Sequence, residues 1–411
     1  MFRLLVSAGG TAGGVYPALA VVAALRERAD VLWVGGIGGM EEQLVPRAGI
    51  RFEAIPAAGV HGVGLRALPG NVVQLAKGYQ AARRIARSYQ PEVMLFTGGY
   101  VGVPVAMTGA GVPKVSFVPD LQPGLGLRVT TRLSNTVAVT AEASRQDYGN
   151  RRVVVTGYPT RPELIPIEAK EARRKLGLDP ERSVLLAFGG SQGARSINEA
   201  LWLALPGILG MAQVLHITGD RDWPRVEDVK TELPERLQGA YYPHSYLHSE
   251  MGDALAAADL VISRSGAATL GEYPLYGLPA ILVPYPHSWR YQAANAQYLA
   301  ERGAAIVLND ESLARDLLPA VRGLLQDPVR LRGMAEAMSG TVTPGAAEAI
   351  ASEVAYAAKA GQATGRSSPN ENSASGNAAG DAADPAESGP DGDASGNAAG
   401  TAADPGQEEP K

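Results

Sequence analysis

The 411-residue chain contains no cysteine, which excludes disulfides, thiolate metal sites and cysteine nucleophiles together and suits a reducing compartment. Aromatic residues amount to only 6%, too few for the stacking surfaces that nucleic acid needs, so no nucleic-acid partner is expected. Nowhere does an apolar run reach the roughly 18 residues of a membrane-spanning helix, and membrane contact is therefore expected to be peripheral. No secretory leader is expected either. Met1-Phe2-Arg3-Leu4-Leu5-Val6 runs straight into a glycine-rich turn and reads as a buried strand with no cleavage site behind it.

What is present is unevenly charged. The net charge of −5 divides into a basic first part, where residues 1–155 carry 16 Lys and Arg against 9 Asp and Glu, and two acidic parts. Residues 156–360 carry 19 against 24, and residues 361–411 carry 2 against 9. A basic N-terminal surface can attract anionic lipid or a phosphorylated substrate.

From residue 361 the chain turns to Gly, Ala, Ser, Asn, Asp and Pro with almost no large apolar side chain. Burial there cannot offset the entropy of ordering, and a disordered acidic tail is expected. Its imperfect duplication, Ala374-Ser375-Gly376-Asn377-Ala378-Ala379-Gly380 returning from Ala394, has nothing to stack and does not make a solenoid.

With 45% hydrophobic residues, the remainder can bury two cores of about 150 residues each. Short β-branched runs alternate with helical segments, the pattern of parallel sheets with crossover helices. Strands are expected at 3–7, 31–34, 52–55, 93–96, 115–118, 137–140 and 153–156, and again at 184–188, 214–217, 260–263, 280–283 and 305–308. The fold class is α/β, two doubly wound Rossmann-like domains. Tyr158-Pro159-Thr160-Arg161-Pro162 has two prolines that stiffen an extended connection. The division is residues 1–157 for the first domain, 158–166 for the hinge, 167–345 for the second domain, 346–360 for a terminal helix and 361–411 for the tail. Ligands of such domains bind at the carboxyl ends of the strands, facing the cleft.

Four glycine-bearing loops end strands at that cleft. Gly9-Gly10-Thr11-Ala12-Gly13-Gly14 leads through Val15-Tyr16-Pro17 into an apolar helix, and Gly189-Gly190-Ser191-Gln192-Gly193-Ala194 leads into another from about Arg195. Glycines there let backbone amides approach an anion at a helix N-terminus, although either loop alone also reads as a tight structural turn. Neither is followed by Gly-Lys-Ser/Thr, which argues against nucleoside-triphosphate hydrolysis. Thr97-Gly98-Gly99-Tyr100 and Ser263-Arg264-Ser265-Gly266-Ala267-Ala268-Thr269 end two further strands, the latter with Glu272 one turn on. A carboxylate at that position either caps a helix or accepts hydrogen bonds from ribose hydroxyls.

The segments 9–17, 97–100, 189–195 and 264–272, in that order, resemble the MurG family of glycosyltransferases. The likeness continues through Gly277-Leu278-Pro279, Val283-Pro284-Tyr285, His287, Gln292 and Asn295 and spans residues 3–355. It implies the GT-B fold, with UDP-N-acetylglucosamine held mainly by the second domain and passed, with inversion, to an undecaprenyl-diphosphate-linked muramoyl peptide. By that resemblance Ser191 and Gln192 meet the diphosphate and sugar, Leu247 offers its backbone to uracil, Glu272 binds the ribose, Gln292 reads sugar hydroxyls and Arg161 helps neutralise the diphosphate. Thr11, Gly13, Gly193, Ser265, Gly266 and Ala267 complete the donor contacts, and Gly14, Gly98, Gly99 and Tyr100 line the acceptor side. A peripheral bacterial enzyme on the cytoplasmic face of the plasma membrane is implied. The UDP-sugar is a co-substrate, and neither cofactor nor metal is expected: the Asp-x-Asp run Asp391-Gly392-Asp393 lies in the tail, while a serine loop, a helix end and an arginine can meet the leaving charge.

The sequence departs from the family pattern on the acceptor side. Gly14 stands where a histidine is usual, and Phe117-Val118-Pro119-Asp120 where His-Glu-Gln-Asn is usual. Tyr158 replaces an asparagine, and Tyr291 the first of two glutamines. Asp120, at a strand end facing the cleft, is the candidate base for the acceptor hydroxyl, with a turn or helix cap as its plain alternative. His244, His248 and His287 fall in the donor half and read as structural or nucleotide-adjacent. Val63, Leu65, Leu68, Val72, Val73 and Leu75 precede Lys77, Arg83, Arg84 and Arg87, which reads either as a helix packed on its own sheet or as a membrane-docking face. Two rival functions stand beside the main one: transfer to a different acceptor, and non-catalytic binding of a sugar nucleotide.

Overall fold

Two parallel sheets organise the protein, whose computed structural model describes residues 1–57, 68–149, 151–190, 193–286 and 291–365. The first has seven strands, β1 (Phe2–Ser7), β2 (Ala29–Gly36), β3 (Arg51–Ile55), β4 (Val93–Phe96), β5 (Lys114–Val118), β6 (Thr136–Val139) and β7 (Arg152–Val155), in the order β3-β2-β1-β4-β5-β6-β7. The second has six, β8 (Val184–Phe188), β9 (Gln213–Ile217), β10 (Tyr241–His244), β11 (Leu260–Ser263), β12 (Ala280–Leu282) and β13 (Ala305–Val307), in the order β10-β9-β8-β11-β12-β13. Every pairing is parallel, for example Leu4 opposite both Val31 and Val93, and Leu185 opposite Val214 and Leu260.

The central strands are apolar throughout because helices cover both their faces. Leu4, Leu5, Val6, Val93 to Phe96, and Val184 to Ala187 are wholly buried. The helices of the first half are α1 (Ala12–Leu25), α2 (Glu41–Arg47), α3 (Leu68–Tyr89), α4 (Gly102–Ala106) and α5 (Leu125–Leu133). Those of the second half are α6 (Ala169–Lys175), α7 (Arg195–Ile208), α8 (Val226–Glu232), α9 (Glu235–Gln238), α10 (Met251–Ala257), α11 (Glu272–Tyr276), α12 (Tyr291–Glu301), α13 (Leu313–Leu325), α14 (Pro328–Ser339) and α15 (Ala346–Gly365).

All twelve expected strands are present, with ends shifted by a residue or two, and β10 is an addition. Tyr241-Tyr242-Pro243-His244 reads poorly as a strand because proline cannot donate to a ladder; β10 lies at the sheet edge, where one missing donor is tolerated. The terminal helix also differs from expectation. It runs to Gly365, past the compositional break at 361, and it packs back on the first sheet, with Ile350, Ala351, Val354 and Ala358 in one core with Leu4, Val15 and Val115. Small residues let it lie close to α1. The tail from 366 onward lies outside the described residues.

In each sheet the chain reverses its winding direction between two neighbouring strands, β1 and β4 in the first and β8 and β11 in the second. Those are the topological switch points, and the four glycine-bearing loops follow these four strands.

Candidate functional site

At the first switch point two loops interlock. A Cβ on Gly99, whose φ is +84°, would stand 2.5 Å from the Gly9 carbonyl oxygen, and one on Gly14 would stand 3.2 Å from the Thr97 carbonyl oxygen. The Thr97 hydroxyl donates to the Gly14 carbonyl at 2.6 Å. A side chain at Gly14 would therefore press on the second loop by a few tenths of an ångström, and glycine lets the two loops meet without that adjustment. Beneath them sits Glu41 of α2, 1% exposed, accepting from Gly10 N at 3.1 Å and from Gly36 N at 2.9 Å. This carboxylate went unnoticed in the sequence, where its one signal is its place after Gly38-Gly39 at a helix start. It occupies the Gly10 amide, so that amide is turned inward and is not offered to a ligand.

At the second switch point the chain folds tightly behind β8. A Cβ on Gly189 would lie 2.1 Å from Ala194 N, and one on Gly193 would lie 2.5 Å from the Thr218 carbonyl oxygen, so both positions need glycine. Ser191 and Gln192, the expected diphosphate contacts, lie outside the described residues. The helix that follows is α7, 14 residues long, whose free amides favour an anion. Under the loop a buried polar chain holds its footing. His216 Nε2 meets Asn198 Oδ1 at 3.0 Å and His216 Nδ1 meets the Tyr241 hydroxyl at 2.9 Å, while Asn198 Nδ2 donates to the Thr218 carbonyl and to Asp222. Burial pushes His216 down to about 3, so it stays neutral. Asp222 ends a second Asp-x-Asp run, Asp220-Arg221-Asp222, and its carboxylate is committed to this chain. Among the described residues no three His, Asp or Glu side chains gather as a metal site would require.

The fourth loop carries the buried charges. Glu272 and Arg161 form an ion pair at 3.1 Å, their side chains 9% and 12% exposed, and the Arg161 guanidinium lies 4.7 Å from the centre of the Tyr16 ring. Burial raises the pKa of Glu272, and Arg161 pulls it back. The groups expected to meet the ribose and the diphosphate are thus paired with each other. Ser265 is buried and donates to the Gln292 carbonyl at 2.8 Å, while Gln292 Oε1 accepts from Tyr285 N at 2.9 Å. Leu247 is half-buried against the core beside the exposed Tyr246. The domains touch here: a Cβ on Gly13 would lie 3.6 Å from Ala267 Cβ, in ordinary contact. Thr11 is exposed beside it, and Gly266 half-buried. Arg264 is tied down by Ser196 at 2.7 Å and Asp310 at 2.5 Å, away from any ligand role.

Asp120 lies where the first domain meets α12. Asn295, 0% exposed, donates from Nδ2 to Asp120 Oδ1 at 2.8 Å and to the Ser265 carbonyl at 3.1 Å, and its Oδ1 accepts from Leu121 N at 3.0 Å. One amide side chain of the donor half therefore orients the candidate base of the acceptor half. The Thr140 hydroxyl steadies the same loop by donating to the Pro119 carbonyl at 2.8 Å. Loss of solvent raises the Asp120 carboxyl to about 6. Tyr291 is half-buried nearby, its hydroxyl pushed up by burial and further by the charge of Asp120. Phe117 and Tyr158, two of the departures from the family pattern, meet edge to face at 6.3 Å and are both buried. Both rings belong to the buried core of the first domain.

Of the three histidines of the donor half, His248 is exposed against Tyr246, with ring centres 4.6 Å apart, His244 ends β10, and His287 lies outside the described residues. Gly98, Gly99 and Tyr100 follow β4 at the first switch point, Tyr100 being 37% exposed.

Comparisons with known proteins bear on the family and the fold. The glycosyltransferase family 28 N-terminal domain matches residues 4–114, and the glycosyltransferase family 28 C-terminal domain matches residues 184–350. A protein of Roseiflexus sp. (strain RS-1) is 39% identical over 412 residues, covering 85% of this chain and 93% of its own. It is named "UDP-N-acetylglucosamine--N-acetylmuramyl-(pentapeptide) pyrophosphoryl-undecaprenol N-acetylglucosamine transferase". A protein of the same name from Desulforudis audaxviator (strain MP104C) is 38% identical, covering 85% of this chain and 96% of its own. Among solved structures, Acinetobacter baumannii MurG shares the fold with a TM-score of 0.68 at 24% identity, over 87% of this chain and 100% of its own. A Staphylococcus aureus MnaA–UDP complex shares it at 0.63 and 12% identity, over 87% and 96%.

Proposed function

The chain belongs to the MurG family within glycosyltransferase family 28, and on that footing we propose that it moves N-acetylglucosamine from UDP-N-acetylglucosamine, with inversion, to an undecaprenyl-diphosphate-linked muramoyl peptide. It is a hexosyltransferase of peptidoglycan synthesis. The observation that carries the mechanism is the meeting of Asp120 with Asn295, which brings a carboxylate of the acceptor half against the helix that bears Gln292.

The acceptor oxygen attacks the anomeric carbon, the bond from that carbon to the diphosphate oxygen breaks, and the hydroxyl proton passes to a base. Asp120 takes that proton. With its pKa near 6 it is mostly ionised at neutral pH yet basic enough to accept. Asn295 holds Oδ1, and among the described residues Oδ2 has no hydrogen bond, which leaves it for the acceptor. UDP leaves with negative charge, which the N-terminal amides of α7 and the guanidinium of Arg161 offset, with no resident metal invoked. Donor binding then takes the Glu272 carboxylate to the ribose and frees Arg161 for the diphosphate.

The test is to incubate the full chain with a panel of UDP-sugars and lipid-linked acceptors, following UDP release and product mass. Release only with UDP-N-acetylglucosamine and the muramoyl acceptor is expected. Release with another acceptor would move the assignment, and binding without release would leave a non-catalytic protein.

We infer further that the enzyme docks on the anionic cytoplasmic face of the plasma membrane through α3. That helix packs inward by Gly78, Ala82 and Ala86 and exposes Lys77, Arg83, Arg84 and Arg87, with Val73 52% exposed one turn before them. Val63 and Leu65 of the expected apolar patch, and the side chains of Leu68 and Val72, lie outside the described residues. No helix among the described residues is long and apolar enough to cross a membrane. Co-flotation with vesicles containing phosphatidylglycerol is expected at low salt and should fade as salt screens the charges. Failure to float under any salt condition would sink the docking.

A further inference from the structure

Next to the Asp120 loop the first domain holds a separate cavity of about 400 Å³ that the transfer chemistry does not use. Gln122 from that loop, Arg128 and Arg132 from α5, and Asp147, Tyr148 and Arg151 from the segment before β7 wall it. Three guanidinium groups share one small space, and among the described residues none of them has an ion-pair partner.

Two of the three are held in position by backbone. Arg151 donates to the Thr131 and Arg132 carbonyls at 3.2 and 3.1 Å, closing the end of α5, and Arg128 Nε donates to the Pro123 carbonyl at 3.1 Å. Each guanidinium carries five N–H donors, so donors remain for a ligand. The inner wall adds Tyr148, 7% exposed, whose buried hydroxyl has no hydrogen-bond partner among the described residues. Such a hydroxyl forfeits its hydration without compensation, and a ligand oxygen would restore the missing bond.

We propose that this cavity binds a carboxylate of the peptide carried by the acceptor, with Arg132 and Arg128 as its charge partners and the Tyr148 hydroxyl as an added donor. The planar fork of arginine matches a carboxylate in two parallel hydrogen bonds. A phosphoryl group shares that chemistry. Asp147 on the rim decides between them, because one nearby negative charge opposes a multiply charged diphosphate more than a single carboxylate. The location fits the acceptor, since Gln122 lies two residues beyond Asp120 on the same loop. This inference rests on the transferase reading for the nature of its ligand, and the cavity's preference for an oxyanion stands without it.

The test titrates the intact chain, by calorimetry, with soluble N-acetylmuramoyl-pentapeptide, with the same compound amidated at every carboxyl, and with sodium diphosphate. The free acid should bind at least tenfold more tightly than the amide, and the exposed Arg132→Gln, with Tyr148→Phe as a second variant, should remove that difference. In turnover, Arg132→Gln should raise the KM for the peptide-bearing acceptor and leave that for a peptide-free one unchanged. Equal binding of acid and amide overturns the proposal, as does an unaltered affinity in Arg132→Gln. Diphosphate binding that Arg132→Gln abolishes, with the peptide indifferent, assigns the phosphoryl source and overturns it too. A chain that binds the peptide acid through Arg132 yet transfers no sugar upholds the cavity while the transferase reading fails.

Discussion

Replacing Asp120 by asparagine lowers kcat by about 10²- to 10⁴-fold, the range a positioned general base contributes, and leaves the KM for the donor unchanged. Asparagine keeps the size of the side chain and a carbonyl oxygen for Asn295 Nδ2, so the contact between the domains survives while the proton acceptor is lost. The pH dependence gives a second reading of the same group. The raised pKa means that Asp120 is protonated, and inactive as a base, below about 6. The acid limb of kcat/KM should therefore fall with its midpoint near 6. Desolvation raises that pKa and the hydrogen bond from Asn295 opposes the rise. Asn295→Ala should accordingly move the limb to higher pH, besides loosening Leu121. Undiminished turnover of Asp120→Asn, or a limb that stays in place when Asp120 is gone, would remove Asp120 from the mechanism.

Glu272→Ala should lower stability by about 3–5 kcal/mol, since breaking a buried pair leaves the other charge uncompensated. The Arg161 side chain is only 12% exposed and has no other carboxylate within 4 Å among the described residues. Thermal unfolding should show a large fall in Tm, and the KM for UDP-N-acetylglucosamine should rise. The two effects can be separated. Arg161→Met with Glu272→Leu replaces the pair by packed apolar groups and should recover most of the stability, because buried pairs often give little net stabilisation over such replacements. Donor binding should stay impaired in this double variant, which lacks both the ribose acceptor and the diphosphate partner. Recovery of donor affinity together with stability would reduce Glu272 to a structural role.

Much of the fold was legible because parallel strands covered on both faces are continuous apolar runs. Val93 to Phe96 and Val184 to Phe188 mark their own ends. The edge strand β10 escaped, since Pro243 is acceptable only at an edge and edge position is a property of the whole sheet. The donor loops were legible for a similar reason: Gly189 and Gly193 are required by close backbone contacts that no other residue permits. Glu41 and the contact made by Asn295 were not, because a carboxylate or an amide acquires its role from partners distant in the chain. Asn295 meets Asp120 across 175 positions, and Glu41 meets Gly10 across 31.

Sequence by itself determined the two-sheet α/β architecture, the glycine loops at its switch points and the kinship carried by them, all of which depend on local periodicity and on residues tolerated at one backbone shape. It also marked Gly14, Phe117 and Tyr158 as departures without saying what they do. Only the tertiary structure decided that Phe117 and Tyr158 are buried against each other, that Gly14 lies close against the Thr97 carbonyl of the neighbouring loop, and that α15 returns to the first sheet. It likewise decided that Asp120 is set by the donor half. The physical reason is the same in each case: desolvation, ion pairing and hydrogen-bond geometry depend on what packs around a group, and packing joins segments that the linear order keeps apart.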